Sequence, residues 1–363
     1  MLTQKIDRGG SADLDRSVPP TEIIITAFLA IALAASVVSL KTKIPYTVVL
    51  VLAGVALAAL SISTLTGVDV IYNQLSGEGI FVGLVLPPLL FETAMNIKPD
   101  ELRPIARPAL GLATIGVVIA TVVGGVLLWL VGRIPPYPAF LFAAIISPTD
   151  TATVLEVFKR VKVPERLSTM MDTEAVFNDA TGITVFTLVL TSFGAATFNV
   201  FSATFDFLFV FGGGAIIGLV VAFAANRLLA LLHDSTSEST LTLVAVYGAY
   251  SLASSLGVSG LIAVATAGIS YGFASSRRDD PERRAAVRNF WNILAFLANT
   301  VAFLFIGLGT NLGQLYNFIV PIVIAYLAVM AARLVSVYSI LGVTKSTGRG
   351  SRGHGRGPRS SAG

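Results

Sequence analysis

Long apolar runs, separated by short charged segments, dominate this sequence. A membrane-spanning helix needs about 20 mainly apolar residues, because each residue advances it by about 1.5 Å through a hydrocarbon layer about 30 Å thick. Charged residues make up only 13% of the chain and hydrophobic residues 54%, whereas about 25% of a typical soluble protein is charged. Lipid must therefore surround most of the chain. The sequence predicts an all-α polytopic membrane protein with about 11 transmembrane helices, at residues 22–39, 44–63, 79–97, 108–132, 138–158, 168–193, 204–231, 239–256, 259–275, 287–309 and 317–343.

The Lys and Arg residues are unevenly shared between alternate loops. The odd-numbered loops and the adjoining span ends hold 15 of them, and the even-numbered loops hold Arg133 alone. Because basic residues are retained on the cytoplasmic side, we predict that the odd-numbered loops are cytoplasmic and that the N-terminus lies outside, in a plasma membrane. The eighth loop, which consists only of Gly257 and Val258, is the weakest boundary in this topology.

Three regions follow from this pattern. Residues 1–21 form a polar N-terminal tail, residues 22–344 form the transmembrane domain, and residues 345–363 form a basic tail rich in Gly, Arg and Ser. A tail of this composition cannot build a packed core, so we expect it to be disordered.

Several classes of protein are excluded by what the sequence lacks. It has no Cys, and its two His residues, His233 and His354, do not have metal-ligand spacing. It also has no Gly-rich phosphate loop and no candidate Ser-His-Asp set, so we predict neither an enzyme nor a cofactor. The predicted topology accounts for the basic loops, and the basic tail has no aromatic residues, so we expect no nucleic-acid partner.

Charged residues inside the predicted spans are the candidates for function. A carboxylate at the centre of a bilayer costs about 2.5 to 3.5 kcal/mol or more, so one that is kept there usually has a role. The candidates are Glu92, Asp150, Glu156, Asp172, Glu174, Asp179 and Arg333. Glu156 and Asp172 lie near span ends, where a polar residue is as often a contact between helices as part of a site.

Two neighbouring spans bring most of these groups together. In the sixth span, Asp172 and Asp179 share one helical face, and Glu174 and Asn178 form an adjacent stripe. In the fifth span, Pro148 removes a backbone donor directly before Thr149 and Asp150, which favours a local unwinding. Unwound backbone at membrane depth is tolerated where it lines a cavity, so these groups predict an ion-binding site hidden from solvent.

Four segments resemble successive signature blocks of the monovalent cation:proton antiporter family, of the sodium/proton exchanger type. They are LPPLLFETAMNI from Leu86, SPTDTATVLEVFKR from Ser147, VPERLSTMMDTEAVFNDATGI from Val163 and FLANTVAFLFIGL from Phe296. The resemblance covers nearly the whole chain from the first span to Arg333. It implies an inverted-repeat antiporter fold, sodium (or lithium) and protons as substrates, and a homodimer in the lipid bilayer.

The resemblance also implies roles for individual residues. Asp179, beside Asn178, matches the shared carrier of the proton and the cation, and Thr149 and Asp150 match further ion ligands, so that sodium is expected at Asp179 and Asp150. Glu92 matches a glutamate that contacts the asparagine, and Glu174 with Arg333 matches a buried ion pair that braces the core helices. An Asn-Asp pair resembles the electroneutral branch, in which one proton exchanges for one cation.

The chain departs from the family pattern in three places, which leave other functions open. Thr151 stands where the family usually has Pro, and Ala175 stands where it usually has Ser, so a ligand oxygen beside Asp179 is lost. The chain also lacks the last two of about thirteen family spans, which we interpret as a C-terminal truncation or an out-of-frame end. The alternatives are a potassium/proton antiporter, a transport-inactive truncated fragment and a channel.

Overall fold

The computed structural model describes most of the chain, and its elements are almost all helical. The described residues are 21–60, 80–102, 104–148, 158, 161, 163–194, 200–232, 234–278, 280–310 and 312–349. The helices are α1 (Thr21–Thr42), α2 (Tyr46–Ala59), α3 (Ile80–Met95), α4 (Pro99–Leu102), α5 (Ala106–Gly111), a π-helical turn (Leu112–Gly116), α6 (Val117–Leu130), α7 (Pro136–Ile146), α8 (Glu165–Gly194), α9 (Val200–Leu229), α10 (Ser235–Ser255), α11 (Gly260–Ser276), α12 (Pro281–Leu308), α13 (Leu312–Asn317) and α14 (Ile319–Arg349).

The all-α membrane fold is confirmed. Five segments of the described chain are long and apolar enough to cross a bilayer, namely Ile25–Thr42, Ala106–Leu130, Phe201–Leu229, Pro281–Leu308 and Ile319–Ile340. Four shorter apolar helices accompany them, and each of the predicted spans overlaps a helix. The total number of crossings stays a prediction. Helix α14 runs on to Arg349, which includes the first residues of the predicted tail.

Local sequence signals explain several of the helix boundaries. Gly257 has a φ of +72°, a conformation that a residue without a Cβ adopts at little cost, and it separates α10 from α11. The short eighth loop is therefore present. Helix α10 begins where the Asp234 carboxylate accepts a hydrogen bond of 2.7 Å from the Ser237 N–H, and α12 begins where Asp280 accepts one of 3.0 Å from the Arg283 N–H.

The described helices form two packed groups. In the first group, α5, the π-helical turn, α6, α7, α8 and α14 pack together. In the second group, α1, α2, α3, α9, α10, α11 and α12 pack together. Contacts between the groups run mainly through α8, which touches α3, α9 and α11. Helix α8 is therefore the main connection between the two groups.

An aromatic cluster fixes the position of α3 against the rest of the second group and against α8. The Phe91 ring lies 4.4 Å from the Trp291 ring and 5.7 Å from the Tyr271 ring, measured between centroids. Phe177 of α8 belongs to the same buried cluster. Trp291 is fully buried, and its indole N–H donates a 3.0 Å hydrogen bond to the Thr242 hydroxyl. Such rings contribute large buried areas and a specific geometry.

A π-helical turn connects α5 and α6 within the first group. The Ser336 hydroxyl of α14 is fully buried and donates a 2.7 Å hydrogen bond to the carbonyl oxygen of Gly116, the last residue of the turn. A Cβ added to Gly116 would come within 2.9 Å of that hydroxyl oxygen. Glycine therefore allows α14 to approach this turn closely, as small residues do between membrane helices.

Candidate functional site

Helix α8 carries polar side chains both on faces that are buried and on a face that is exposed. Glu174 and Asn178 are buried, with 1% and 0% of their surface exposed. Asp179 is exposed, so the prediction that this carboxylate is hidden from solvent is wrong. Consecutive residues point about 100° apart on a helix, so the buried Asn178 and the exposed Asp179 lie on different faces of α8, and the exposure of Asp179 depends on which neighbours pack around that helix. The side chain of Asp172, also on α8, is not among those described.

The end of α7 packs against α8 one turn beyond Asp179. A Cβ on Gly182 would overlap the ring of Pro148, so these two residues are in direct contact. Gly182 lies three residues after Asp179, on the same face of α8. Thr149 and Asp150 directly follow Pro148 in the sequence, but they lie outside the described residues, as do Thr151 and Glu156. Their contact with Asp179, and a sodium site there, stay predictions.

The residues before Pro148 are held by a buried hydroxyl pair. The Thr121 hydroxyl of α6 donates to the Ser147 hydroxyl at 3.1 Å, and Ser147 donates to the carbonyl oxygen of Ala143 at 2.6 Å. Both hydroxyls are buried. The pair ties the end of α7 to α6 and so fixes where the chain enters the Thr149–Asp150 segment. Sequence reasoning missed Thr121, because a single Thr in an apolar span gives no signal.

Glu174 and Arg333 come together in the first group of helices. A guanidinium nitrogen of Arg333, on α14, contacts the Glu174 carboxylate on α8 in an ion pair whose carboxylate is buried and whose arginine is partly buried. Arg333 also lines a cavity of about 10 Å³ beside Ser147 and Ala143. A paired and hydrogen-bonded charge is the form in which a carboxylate is tolerated inside a protein, and this pair links α14 to α8 one turn before Asn178.

Glu92 lies on α3, where that helix packs against α8. Its carboxylate accepts a 2.7 Å hydrogen bond from the Asn96 side-chain amide and a longer one, 3.4 Å, from the Thr93 hydroxyl. Its neighbour Phe91 shares the buried cluster with Phe177, which precedes Asn178. The structure therefore brings the Glu92 region of α3 against α8, and the contact of Glu92 with Asn178 stays a prediction.

A second buried charge network, which sequence analysis did not predict, lies in the other group of helices. Glu238, 2% exposed, accepts hydrogen bonds of 2.8 Å from Tyr271 and from Arg278, and pairs with Arg283 at 3.0 Å. Glu238 lies in a polar stretch at the start of α10, where a glutamate is usually solvated. Its partners are 33 to 45 residues away in the chain, a separation at which local patterns give no information.

No group of three or more His, Cys, Asp or Glu with the arrangement of a metal site occurs in the described part of the chain.

An apolar helical bundle with a polar helix between its two groups is the architecture of a polytopic membrane protein. The chain belongs to the transmembrane sodium/hydrogen exchanger family, whose sequence profile matches residues 24–355. This confirms the resemblance to the monovalent cation:proton antiporters, which are transporters.

Individual relatives support the same assignment. The chain is 37% identical over 320 residues to the low-affinity Na⁺/H⁺ antiporter NhaS1 of Synechocystis, covering 88% of this chain and 59% of that protein. It is 34% identical to the Na⁺/H⁺ antiporter ApNhaP of Aphanothece halophytica, covering 88% and 60%. The chain thus spans about three fifths of the length of these relatives. The structure of the sodium proton antiporter MjNhaP1 from Methanocaldococcus jannaschii at pH 8 matches with a TM-score of 0.74 and 25% identity, over 88% of this chain and 79% of that chain.

Proposed function

We propose that the protein exchanges sodium, or lithium, for protons across a plasma membrane, with Asp179 as the group that carries either ion. The observation that carries the proposal is the position of Asp179: an exposed carboxylate, next to the fully buried Asn178, on the helix that contacts both groups of helices. A carrier group must be reachable from water, and it must also lie on the part of the molecule that moves.

Competition between two ions at one carboxylate accounts for coupled exchange. A carboxylate can bind a proton or an alkali ion, and either one neutralises it, so both loaded forms have about the same charge. An ionised empty site crosses a lipid layer poorly, because an uncompensated carboxylate there costs several kcal/mol. The carboxylate therefore moves between the two sides of the membrane only when it holds a proton or a cation. One proton then exchanges for one cation, and the exchange is electroneutral.

The rest of the site supplies oxygen ligands and support. Hard oxygen ligands suit alkali ions, and the proposed ligands besides Asp179 are Asp150, Thr149 and the amide oxygen of Asn178. The ion pair of Glu174 with Arg333 braces α8 against α14, and Glu92 approaches from α3. In this proposal the first group of helices moves against the second, which alternately opens the site to each side. The protein is a homodimer with its N-terminus outside.

Potassium is the second candidate cation, because Ala175, which lies beside Asp179, has no side-chain oxygen atom that could bind an ion. Ala175 is four residues before Asp179 on the same face of α8, and its methyl group offers no oxygen to an ion. A smaller number of ligands at this point weakens the preference for the smaller, more strongly hydrated sodium ion. Competition between sodium and potassium in the exchange assay separates the two candidates.

Exchange in proteoliposomes tests the proposal. Vesicles with an acidic interior and an internal pH-sensitive dye should become more alkaline when sodium is added outside. Asp179→Asn should abolish this signal, and Asp206→Asn, an exposed carboxylate on α9, should leave it unchanged. Full sodium-driven proton flux in Asp179→Asn would refute the role of Asp179. No flux in the parent chain would identify it as transport-inactive, and single-channel currents would identify it as a channel.

A further inference from the structure

The side chain of Asn96 holds Glu92 at two points. Asn96 directly follows Met95, the last residue of α3. Its side-chain amide nitrogen donates a hydrogen bond of 2.7 Å to Oε1 of the Glu92 carboxylate and one of 2.9 Å to the main-chain carbonyl oxygen of Glu92. A carbonyl oxygen can only accept, so the amide must present its N–H groups to Glu92. The carboxylate is therefore tied to the end of its own helix.

This orientation leaves the oxygen of the same amide unsatisfied. The Oδ1 atom of Asn96 is buried and has no hydrogen-bond partner within the described part of the chain. A buried acceptor without a partner destabilises a folded protein, and such atoms are uncommon in native structures. An apolar side chain of similar size would avoid this cost. What Asn96 contributes must therefore come through the two bonds that its nitrogen makes to Glu92.

One of these two bonds belongs to the helix end, and the other does not. The main-chain N–H of Asn96 bonds to the Thr93 carbonyl oxygen at 3.3 Å, and its side-chain amide takes the place at the Glu92 carbonyl oxygen. The last carbonyl groups of a helix commonly need a partner of this kind. The bond to the carboxylate, in contrast, has no part in ending the helix. It fixes the direction of a charged side chain.

The end of α3 that carries Glu92 and Asn96 is closely packed. Gly272 of α11 lies so near the Met95 carbonyl oxygen that a Cβ on it would overlap that atom. The Phe91 ring belongs to the aromatic cluster that joins α3 to α8. Ligands of a functional site need rigid elements and supporting hydrogen bonds to hold them, and Glu92 has both.

We propose that Asn96 is a positioning residue of the ion site, which orients the Glu92 carboxylate toward α8 and thereby sets the affinity for sodium. The inference rests on the proposed function, in which Glu92 approaches the site from α3. A carboxylate that is already oriented loses less conformational freedom when an ion binds. Asn96 acts through Glu92 and does not bind the ion itself, so its removal should weaken sodium binding more than it slows the movement of the helices.

Replacement of Asn96 by an apolar residue tests this role. Asn96→Leu keeps about the size of the side chain and removes its N–H groups. In proteoliposomes we expect the sodium concentration for half-maximal exchange to rise about tenfold, because a hydrogen bond to a charged group contributes at least this factor to an affinity. The maximal rate should be little changed. Asn289→Leu, the same change at an exposed position of α12, is the matched control and should alter neither quantity.

A second set of variants shows whether the effect passes through Glu92. When Asn96→Leu is added to Glu92→Ala, it should cause no further loss of sodium affinity, measured as sodium binding to the purified protein. Thermal unfolding of the parent, the two single variants and the double variant should show coupling between the two positions, since they are in direct contact. Asn96→Ala is made in parallel, so that the result does not depend on the folding of one variant.

Two results would overturn the positioning role. Variants of Asn96 that unfold more readily but keep the sodium dependence of the parent chain would show that Asn96 only ends the helix. An equal loss of sodium affinity with and without Glu92 would show that Asn96 acts independently of it. If the parent chain shows no sodium-driven proton flux, the proposed function fails, and the coupling in unfolding still tests the contact; if flux is normal in the Asn96 variants, only the positioning role fails.

Discussion

Glu174 and Arg333 form an ion pair inside the first group of helices, although 159 residues separate them in the chain. Glu174 lies on the helix that also carries Asn178 and Asp179, so the pair connects α14 to the proposed site. Removing one partner of a buried pair leaves the other charge without compensation, at a cost of about 3 to 5 kcal/mol, whereas apolar residues at both positions are often tolerated.

We therefore expect Glu174→Leu and Arg333→Leu each to lower the thermal stability of the purified protein strongly. The double variant should lose less stability than the sum of the two single losses, by a coupling energy of about 0.5 to 3 kcal/mol between the two positions. Unfolding of the four proteins in detergent measures the coupling, and Arg227→Leu, an exposed arginine on α9, is the control. Strictly additive losses would show that the pair does not brace the helices.

Gly182 should not tolerate a side chain. Gly182→Ala places a Cβ on the ring of Pro148, and overpacking of this kind costs about 1 to 3 kcal/mol. We expect lower thermal stability and slower exchange, because the α7 end and the Asp179 turn are forced apart. Gly212→Ala on α9 is the control, since no atom lies within 4 Å of its added Cβ. Equal behaviour of the two variants would contradict the close packing at Pro148.

Restoring an oxygen beside Asp179 should strengthen sodium binding. Ala175→Ser adds a hydroxyl one turn before Asp179. If the contact of this hydroxyl with sodium contributes about 1 kcal/mol, as a typical hydrogen bond does, the affinity for sodium changes several-fold. We expect the sodium concentration for half-maximal exchange to fall about three- to tenfold, with the maximal rate little changed. Ala175→Gly, which adds no oxygen, is the matched control. An unchanged sodium dependence in Ala175→Ser would remove this position from the ion site.

The Glu238 network should stabilise the second group of helices without taking part in transport. Glu238→Gln removes the charge that faces Arg278 and Arg283, and we expect a loss of about 1.5 to 3 kcal/mol in unfolding free energy. Glu282→Gln, at an exposed position of α12, should have no effect. A loss of exchange in folded Glu238→Gln would show that the network has a transport role.

The sequence predicted the fold well because lipid imposes a simple rule. A run of about 20 apolar residues has no other stable form in a bilayer than a helix, so the spans were visible, and even the break at Gly257 was correctly placed. The π-helical turn at Leu112–Gly116 was not predictable, since its residues are ordinary helix residues, and its contact with Ser336 is long-range.

The site was less visible in the sequence than the fold. The charged residues within an apolar segment are enough to predict that α8 carries the polar groups. The exposure of Asp179, however, depends on which neighbours pack around that helix. The Glu238 network was missed for the same reason, because a glutamate in a polar stretch has no distinguishing feature until Tyr271, Arg278 and Arg283 are brought to it by folding.

The most direct test of competition at Asp179 is the number of protons released when sodium binds to the purified protein. In weakly buffered detergent solution at a pH below the pKa of the carrier carboxylate, titration with sodium chloride should release about one proton for each sodium ion bound, since binding of either ion must weaken binding of the other. Asp179→Asn should abolish both the binding and the release, and choline chloride should release none. Saturable sodium binding without proton release, or undiminished release from Asp179→Asn, would contradict the account.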